Sequence, residues 1–378
     1  MKKYKVMGLM SGTSLDGLDI AYCEFVKNQK WEYKIIHAET KKYSKEWKAK
    51  LSSAFTKSKK QISKIDAEFG KFIGGKVNSF VRKYGLNPDF ISSHGHTVFH
   101  RPDKRITRQI GSGKIISSIC KLPVVCDFRS GDVALGGQGA PLVPIADKLL
   151  FSEYDFCLNL GGIANISFTS APCLTGRQAT PLLIERREGE RRAFDICPVN
   201  TVLNDLANKL GKEFDRNGKI ASKGKINSEL LDKLNSLSFY KQNPPKSLGR
   251  EWIEKYFFAV LNSFNISIQD KLRTVCEHIA IQVSSAVKSE IRNPKSEILI
   301  TGGGAYNKFL IRRIEAHSKC KVILPDDKTI QFKEAMAFAF LGVLKMRNEI
   351  NILKSVTGAA NDSSGGKIYA KRITAKKA

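Results

Sequence analysis

A glycine-rich segment between two apolar runs near the N-terminus combines residue types that can bind phosphate. Residues 6–21 contain glycines, hydroxyls and carboxylates, at Gly12, Thr13, Ser14, Asp16, Gly17 and Asp19. Glycines let backbone N–H groups approach a bound anion closely, hydroxyls add donors, and carboxylates can hold a cation that bridges phosphates. A phosphotransferase needs such a cradle at its first phosphate site. A glycine-rich hairpin turn that binds nothing is equally compatible with this segment alone.

Two later segments place glycines directly after predicted strands. They contain Asn159, Gly161 and Gly162, and then Gly302, Gly303 and Gly304. Three successive glycines allow a flat purine or a sugar to lie against the backbone, and the N-terminus of a following helix favours an anion. With residues 6–21 they make three candidate nucleotide elements in order. Neither a G-x-x-x-x-G-K-[ST] phosphate loop nor a G-x-G-x-x-G after a strand occurs, which argues against a dinucleotide fold.

Three histidines, His94, His96 and His100, lie close together and raise the question of a metal site. Zinc would require further Cys, His or carboxylate ligands at suitable spacing, and only Asp103 lies nearby. We therefore expect hydrogen-bonding roles in a binding loop in preference to a metal site.

Arg129 lies in a glycine-rich stretch, residues 127–141, with more polar groups than a simple turn requires. Its guanidinium can make a bidentate contact with a carboxylate or a phosphate. The alternative is an ion pair with Asp127 or Asp132 that only stabilises the loop. We favour the binding role.

Asp195 is a single carboxylate that follows an apolar approach and precedes a predicted helix. An aspartate in this position can cap the helix. It can equally be a general base that accepts a proton from an attacking hydroxyl or water. The local sequence leaves both roles open.

Hydrophobic periodicity predicts the elements that must position these residues. Strands are expected over 4–9, 18–26, 89–94, 122–126, 156–167 (broken by a Gly-Gly turn) and 297–301, and helices over 60–84, 115–120, 142–151, 199–210, 228–237, 250–262, 269–292 and 334–348. Alternating strands and helices in both halves indicate an α/β architecture with a duplicated lobe. Residues 168–192, rich in turn residues and charges, are expected to form a solvated loop or hairpin tip.

Composition bounds the class of protein. The chain has 378 residues, 42% of them hydrophobic, a formal net charge of +27, and eight cysteines without C-x-x-C pairs. This composition predicts a cytoplasmic protein with free thiols and no membrane span or signal peptide. The lysines are dispersed, and only the tail over 370–378 forms a basic arm. We therefore expect no nucleic-acid partner.

Taken together, the motifs resemble those of the actin, sugar-kinase and heat-shock ATPase superfamily and, more narrowly, the anhydro-N-acetylmuramic acid kinase family. The matching segments are 8–19, 93–97, 100–102, 127–129, 136–144, 159–166, 245–251, 302–307, 333–335 and 357–359. The resemblance implies an α/β, two-lobed actin-like ATPase fold, with duplicated ribonuclease H-like lobes and an interlobe cleft. It implies one lobe from residues 1–145 plus 346–378, with the first phosphate element and sugar-binding loops, and another from 146–345.

The resemblance also implies a reaction. The family converts 1,6-anhydro-N-acetylmuramic acid, ATP and water into N-acetylmuramic acid 6-phosphate and ADP, in peptidoglycan recycling, with Asp195 as the base that activates water. ATP would be bound by Gly12, Thr13, Ser14, Leu15, Asp16, Gly17, Leu18, Asp19, Asn159, Gly161, Gly162, Gly302, Gly303 and Gly304. The sugar would be bound by Ser11, His94, His96, Arg129 and Asp132. Mg²⁺ would lie near Asp16 or Asp19. The partner is thus a small amino sugar, and a homodimer is possible.

The chain departs from the family pattern at the catalytic segment. Ile196-Cys-Pro-Val-Asn200 stands where Thr-Gly-Pro-Gly-Asn is usual, and His96 stands where glutamine is expected. Cys197 and Val199 disfavour the positive φ that glycines allow, so the contacts of this loop are expected to differ. Two other functions remain open: another sugar kinase of the superfamily, or a nucleotide-driven interaction switch without a small-molecule acceptor.

Overall fold

The computed structural model describes residues 2–12, 15–170, 189–288, 290–291 and 295–370. The chain forms two units, Met1–Leu150 together with Phe332–Ala378, and Phe151–Gln331. Within the described ranges, no helix has the length and apolar character needed to cross a membrane.

The strands of the described ranges follow the predicted order, with additions. They are β1 (Lys3–Ser11), β2 (Gly17–Lys27), β3 (Trp31–Lys42), β4 (Phe90–Arg101), β5 (Ile106–Ile110), β6 (Val124–Cys126), β7 (Phe156–Leu160), β8 (Ile163–Thr169), β9 (Arg191–Pro198), β10 (Glu297–Thr301), β11 (Lys321–Ile323) and β12 (Lys367–Tyr369). All the predicted strands are confirmed, whereas β3, β5, β9, β11 and β12 were not expected.

The predicted helices are also present. The α-helices are α1 (Lys45–Ser52), α2 (Lys59–Tyr84), α3 (Gly113–Cys120), α4 (Arg129–Ala134), α5 (Pro144–Leu150), α6 (Asn200–Asn208), α7 (Ser228–Asn235), α8 (Arg250–Trp252), α9 (Phe258–Asn262), α10 (Ile268–Lys288), α11 (Lys308–Ser318), α12 (Asp327–Met346) and α13 (Lys354–Thr357). The helix predicted over 250–262 contains a π-helical stretch, Ile253–Phe257, between α8 and α9.

The sheet of the first unit has the strand order β12–β6–β4–β1–β2–β3, with β5 joined to β4. Strands β1, β2 and β3 form an antiparallel meander, while β4 is parallel to β1 and β6 is parallel to β4. Its core combines apolar side chains of this sheet with those of α2, among them Leu9, Ile20, Phe69 and Ile73.

The sheet of the second unit repeats this pattern. Its order is β11–β10–β7–β8–β9, with β7, β8 and β9 antiparallel and with β10 and β11 parallel to β7. In both units, therefore, the first strand of a three-stranded meander is extended by two parallel strands. The duplicated α/β lobes predicted from the sequence are confirmed.

Helix α2 shows how local sequence determines an element. It begins with a capping box between Ser58 and Gln61, and it ends at Gly85, whose φ of 61° is left-handed. Its central glycines differ in surroundings. A Cβ at Gly74 would lie 3.0 Å from Ile119, whereas a Cβ at exposed Gly75 would meet nothing within 4 Å.

We expect Gly75→Ala to raise the free energy of unfolding by about 0.4–1 kcal/mol, because alanine restricts the unfolded chain and fits the helix without a clash. Urea denaturation followed by circular dichroism measures this. Gly74→Ala is the matched control, with a smaller gain or a loss because Ile119 must move. Equal gains at both positions would contradict the prediction.

Two sequence expectations are corrected by the fold. The strand predicted to end at His94 continues to Arg101, because β5 pairs antiparallel with the extension from His96 onward. Residues 191–192, assigned to a solvated segment, belong to β9, and Arg191 is buried with its guanidinium donating to Ser167 Oγ at 2.8 Å. Residues 171–188 of that segment lie outside the described residues.

Candidate functional site

The turn between β1 and β2 carries the first candidate phosphate element. Ser11 pairs with Leu18 across the turn, and the Leu15 N–H donates to the Gly12 carbonyl at 3.4 Å, with Leu15 at a φ of 59°. Gly17 has a packing role, since a Cβ added at this position would lie 2.7 Å from the Lys41 carbonyl oxygen of β3. The predicted phosphate ligands Thr13 and Ser14 lie outside the described residues.

Carboxylates accumulate beside this turn. Asp19 Oδ1 accepts from Thr40 Oγ1 at 2.6 Å, and burial, together with the charge of Asp16, raises the pKa of Asp19. On α12, desolvation and the charge of Asp19 raise the pKa of Glu334 as well. Such mutual repulsion between carboxylates favours a cation.

No group of three His, Cys, Asp or Glu residues within the described ranges is arranged to hold a metal by itself. Mg²⁺ commonly uses one or two carboxylates together with substrate phosphates, so Asp16 and Asp19 still suit it. Among the described residues, no cationic side chain pairs with Asp16 or Asp19, and this is the observation that fits a divalent cation.

Ser11, Tyr43 and His96 form a buried relay. The Tyr43 hydroxyl donates to Ser11 Oγ at 2.7 Å, and Ser11 Oγ lies 3.1 Å from His96 Nδ1. Burial lowers the pKa of His96 to about 4. Ser11 Oγ and the neutral imidazole share one hydrogen bond, whose donor depends on the tautomer of His96. The relay thus places a neutral imidazole of β4 beside the first candidate phosphate element.

His94 and Arg129 contact each other directly. Arg129 Nε donates to His94 Nε2 at 3.0 Å, and His94 Nδ1 donates to the Gly95 carbonyl at 3.0 Å. Burial and the Arg129 charge hold the pKa of His94 well below its usual range, so the ring is neutral. Arg129 Nη1 donates to the Gly139 carbonyl at 2.9 Å, and burial lowers the pKa of Arg129 to about 10.

The ion pair considered for Arg129 is not formed. Asp127 pairs with Lys367 at 2.8 Å, and Asp132 accepts from the Gly139 N–H and from Thr357 Oγ1, each at 2.7 Å. The prediction that Arg129 lies in a loop is wrong, since Arg129 is the first residue of helix α4. Among the residues that the structure describes, no protein partner is seen for Nη2 of Arg129, so this nitrogen can bind a ligand.

Asp132 is fully buried, with 0% exposure, and both of its carboxylate oxygens accept hydrogen bonds from protein. A Cβ at Gly137 would lie 2.2 Å from Asp132 Oδ2, which shows how closely the 136–139 turn wraps the carboxylate. Asp132 therefore stabilises the 136–139 turn, and the Gly139 carbonyl of this turn accepts the hydrogen bond from Arg129.

In the second unit, the two later glycine segments meet at the end of β7. Gly302 has a φ of 81°, and its Cβ would lie 2.4 Å from Asn159 Oδ1, while a Cβ at Gly304 would lie 2.6 Å from Leu160 Cβ. At the turn after β7, the Gly161 and Gly162 carbonyls accept backbone N–H groups from the start of α6. The second and third glycine elements of the sequence are therefore neighbours within this unit.

The helix expected to begin at the three glycines begins later. Gly303–Tyr306 forms a 3₁₀ turn, and α11 starts at Lys308 with Asn307 as its cap, since Asn307 Oδ1 accepts from the Leu310 N–H at 3.0 Å. The side chain of Asn307 therefore accepts a hydrogen bond from a backbone N–H of the helix start that was expected to bind an anion.

Asp195 lies on β9, the outer strand of its sheet. Its Oδ2 accepts from Ser247 Oγ at 3.0 Å and from the Leu248 N–H at 2.9 Å. Burial raises its pKa, while these two donors lower it. Asp195 does not cap α6, whose N-cap Val199 makes no side-chain bond. Oδ1 of Asp195 has no partner within the described ranges and is free to accept a proton.

The unusual residues after Asp195 are accommodated without positive φ. Ala164 pairs with Cys197 and Asn165 with Asp195, so Ile196 is an extra residue that forms a β-bulge. Cys197 is buried in the strand, and Val199 has a φ of −125°. The bulge thus lies where the family pattern has threonine, directly before the first of its two glycines.

Sequence reasoning missed the role of residues 245–251. The sequence indicates only that this segment matches a family motif, whereas the structure shows that it supplies both donors to the Asp195 carboxylate. The local sequence around a hydroxyl or a backbone N–H does not show which distant carboxylate will accept its hydrogen bond.

Two α/β units, each with a three-stranded meander extended by two parallel strands and a glycine turn after its first strand, have the architecture of the two-lobed ATPase and sugar-kinase class that the sequence predicts. Within that class, the chain belongs to the anhydro-N-acetylmuramic acid kinase family, whose sequence model matches residues 4–371. It is thus a kinase, a phosphotransferase.

Relatives bearing the family name cover nearly the whole chain. The anhydro-N-acetylmuramic acid kinase of Vibrio vulnificus (strain CMCP6) is 32% identical over 97% of this chain and 98% of its own. That of Clostridioides difficile (strain 630) is 34% identical over 98% and 99%.

Solved structures resemble the chain more remotely. An activator of 2-hydroxyisocaproyl-CoA dehydratase from Clostridium difficile, with bound ADPNP, is 15% identical, with 89% of this chain and 92% of that chain covered and a TM-score of 0.42. A hexokinase from Schistosoma mansoni, complexed with glucose, is 9% identical, with 90% and 85% covered and a TM-score of 0.37.

Proposed function

We propose that this kinase opens 1,6-anhydro-N-acetylmuramic acid with water and transfers the γ-phosphoryl group of ATP to O6, giving N-acetylmuramic acid 6-phosphate and ADP. Family membership over residues 4–371 supports the substrate. The observation that carries the chemistry is Asp195, whose carboxylate is held through one oxygen and open at the other.

Asp195 is the general base of this proposal. Its Oδ1 accepts a proton from water as the water oxygen bonds to C1 of the sugar and the C1–O6 bond breaks. O6 then bonds to the γ-phosphorus, and the bond from that phosphorus to the ADP oxygen breaks. Burial raises the pKa of Asp195 toward the range useful for a base at neutral pH. Because the carboxylate is already oriented, little reorganisation accompanies the step.

ATP would use the three glycine elements. We assign its phosphates to residues 12–19 and 159–162 and its adenosine to residues 302–304, where packing requires glycine at Gly302 and Gly304 and where Gly303 is exposed. Asp16 and Asp19 would hold Mg²⁺, which when bound neutralises phosphate charge during transfer.

The sugar would be oriented by groups of the first unit. Arg129 offers Nη2, which has no partner among the described residues, to the lactyl carboxylate, and the Ser11–His96 relay offers the His96 imidazole to a sugar hydroxyl. His94 fixes the Arg129 guanidinium from its other side. We assign Asp132 to positioning the 136–139 turn in place of direct sugar contact, because it has no exposed surface.

We expect Arg129→Lys to raise the KM for the anhydro sugar about tenfold or more, with the KM for ATP nearly unchanged, since lysine loses the planar donor pair. Steady-state kinetics with each substrate varied in turn measures both constants. Arg108→Lys, at an exposed arginine of the same unit, is the control and should leave both unchanged. A raised KM for ATP alone would place Arg129 at the phosphate site.

An ATP-consumption assay distinguishes this function from the alternatives. The anhydro sugar should be consumed with water and yield a reducing sugar, whereas N-acetylmuramic acid and N-acetylglucosamine should not support turnover. Preference for an ordinary hydroxyl acceptor would indicate another sugar kinase. ATP hydrolysis stimulated only by a protein partner would indicate an interaction switch.

We also place the protein in the cytoplasm with a role in peptidoglycan recycling. The cysteines of the described ranges are free thiols, and six of those seven are buried, which supports a reducing compartment. A homodimer stays a prediction, which sedimentation velocity can test.

A further inference from the structure

We propose that Ser247 is a positioning residue for the reaction: its hydroxyl fixes the orientation of the Asp195 carboxylate and favours its ionised form. This inference rests on the proposed role of Asp195 as the base. It deepens that role by identifying what holds the base ready before water arrives.

Three consecutive residues bond to Asp195 from one side. The Asp195 N–H donates to the Lys246 carbonyl at 3.1 Å, and Ser247 Oγ and the Leu248 N–H donate to Oδ2 at 3.0 and 2.9 Å. Strand β9 is the outer strand of its sheet, and at Asp195 its free edge is hydrogen-bonded to this segment. Both donors converge on Oδ2, so Oδ1 is the oxygen directed to other ligands.

The segment is anchored on both sides of Ser247. Lys246 Nζ donates to the Phe239 carbonyl at 3.4 Å and lies 4.8 Å from the centroid of the Phe239 ring. Leu248 is buried. Ser247 itself is exposed, so its hydroxyl can be removed without opening a cavity in the core. The anchors keep the Leu248 N–H in place when Ser247 changes.

Among the described residues, few titratable groups face Asp195. Its partner on β8, Asn165, is uncharged. On the covering segment, the Lys246 ammonium is directed to a backbone carbonyl, and on β9 the Cys197 thiol is buried. Arg191, earlier on β9, donates to hydroxyls of β8. Hydrogen bonds from Ser247 and Leu248 are therefore the contacts that offset the burial of the carboxylate.

Removing the Ser247 hydroxyl should shift the pH dependence of turnover in one direction. A donor to the ionised carboxylate lowers its pKa, so in Ser247→Ala the pKa rises and more base is protonated at a given pH. We expect the acid limb of kcat to move up by about one pH unit, and kcat below that limb to fall about tenfold, with the KM for ATP unchanged. Ser247→Thr, which keeps the hydroxyl, should restore the profile.

Control variants distinguish a loss of carboxylate positioning from damage to the fold and from a failure of the proposed role of Asp195. Ser236→Ala removes an exposed hydroxyl that donates to the Lys233 carbonyl on α7 and should leave the profile unchanged. Should Ser247→Ala not fold, Ser247→Cys supplies a weaker donor and the same direction of shift is expected. An unmoved acid limb in a folded Ser247 variant, with Asp195→Asn inactive, overturns the positioning role alone. Full turnover by Asp195→Asn overturns the base and this inference together.

Discussion

Asp195→Asn should lower kcat about 10²–10⁴-fold while the protein folds and binds ATP normally. The amide oxygen can accept from Ser247 and Leu248 as Oδ2 does, so the local structure is retained. The amide nitrogen, however, occupies the place of Oδ1 and cannot take a proton from water. Single-turnover phosphate transfer to the anhydro sugar, with ATP binding measured by calorimetry, separates the chemical step from binding.

Asp232→Asn is the matched control, because Asp232 is an exposed aspartate of the same unit on α7 and should be neutral to activity. Thermal unfolding of both variants must agree with the wild type for the comparison to hold. Near-normal turnover in a folded Asp195→Asn protein would remove Asp195 from the mechanism. Asp16 or Glu334, the carboxylates beside the first phosphate element, would then be the next candidates.

Gly302→Ala should weaken both the fold and nucleotide binding. Gly302 has a φ of 81°, and an added Cβ would lie 2.4 Å from Asn159 Oδ1 and 2.9 Å from the Leu160 backbone. Backbone cannot yield as a flexible side chain does, so we expect a loss of about 1–3 kcal/mol in the free energy of unfolding. We also expect a raised KM for ATP, because β7 and the 302–304 segment must separate. Urea denaturation and ATP-dependent kinetics give the two values.

Gly303→Ala provides the contrast within the same segment. Its Cβ would lie 3.5 Å from Asn200 Nδ2, an ordinary contact, and its φ is not positive. Stability should therefore stay within about 0.5 kcal/mol of the wild type. Equal destabilisation by both substitutions would show that close packing on β7 is not what requires glycine at Gly302.

Much of the fold was predictable from local pattern. Helix α2 and strands β1, β2, β7, β8 and β10 were predicted from local pattern, because apolar residues fill their buried faces and their ends carry caps or glycine turns. Strands β5 and β12 were missed, since Ile110 is their only buried residue and they exist through pairing with β4 and β6. Their side chains show no strong alternation that would mark them in isolation.

The candidate site divides in the same way. Residue types and order along the sequence by themselves determined the family, and they predicted the three glycine elements and the roles of Arg129 and Asp195. Only the tertiary structure decided what each side chain contacts: Arg129 bonds to His94 and not to Asp132, and Asp195 is held by Ser247 and Leu248. The physical reason is that backbone propensity and burial follow from neighbours in sequence, whereas these hydrogen bonds depend on the geometry between residues 35 to 53 positions apart, which only tertiary packing brings together.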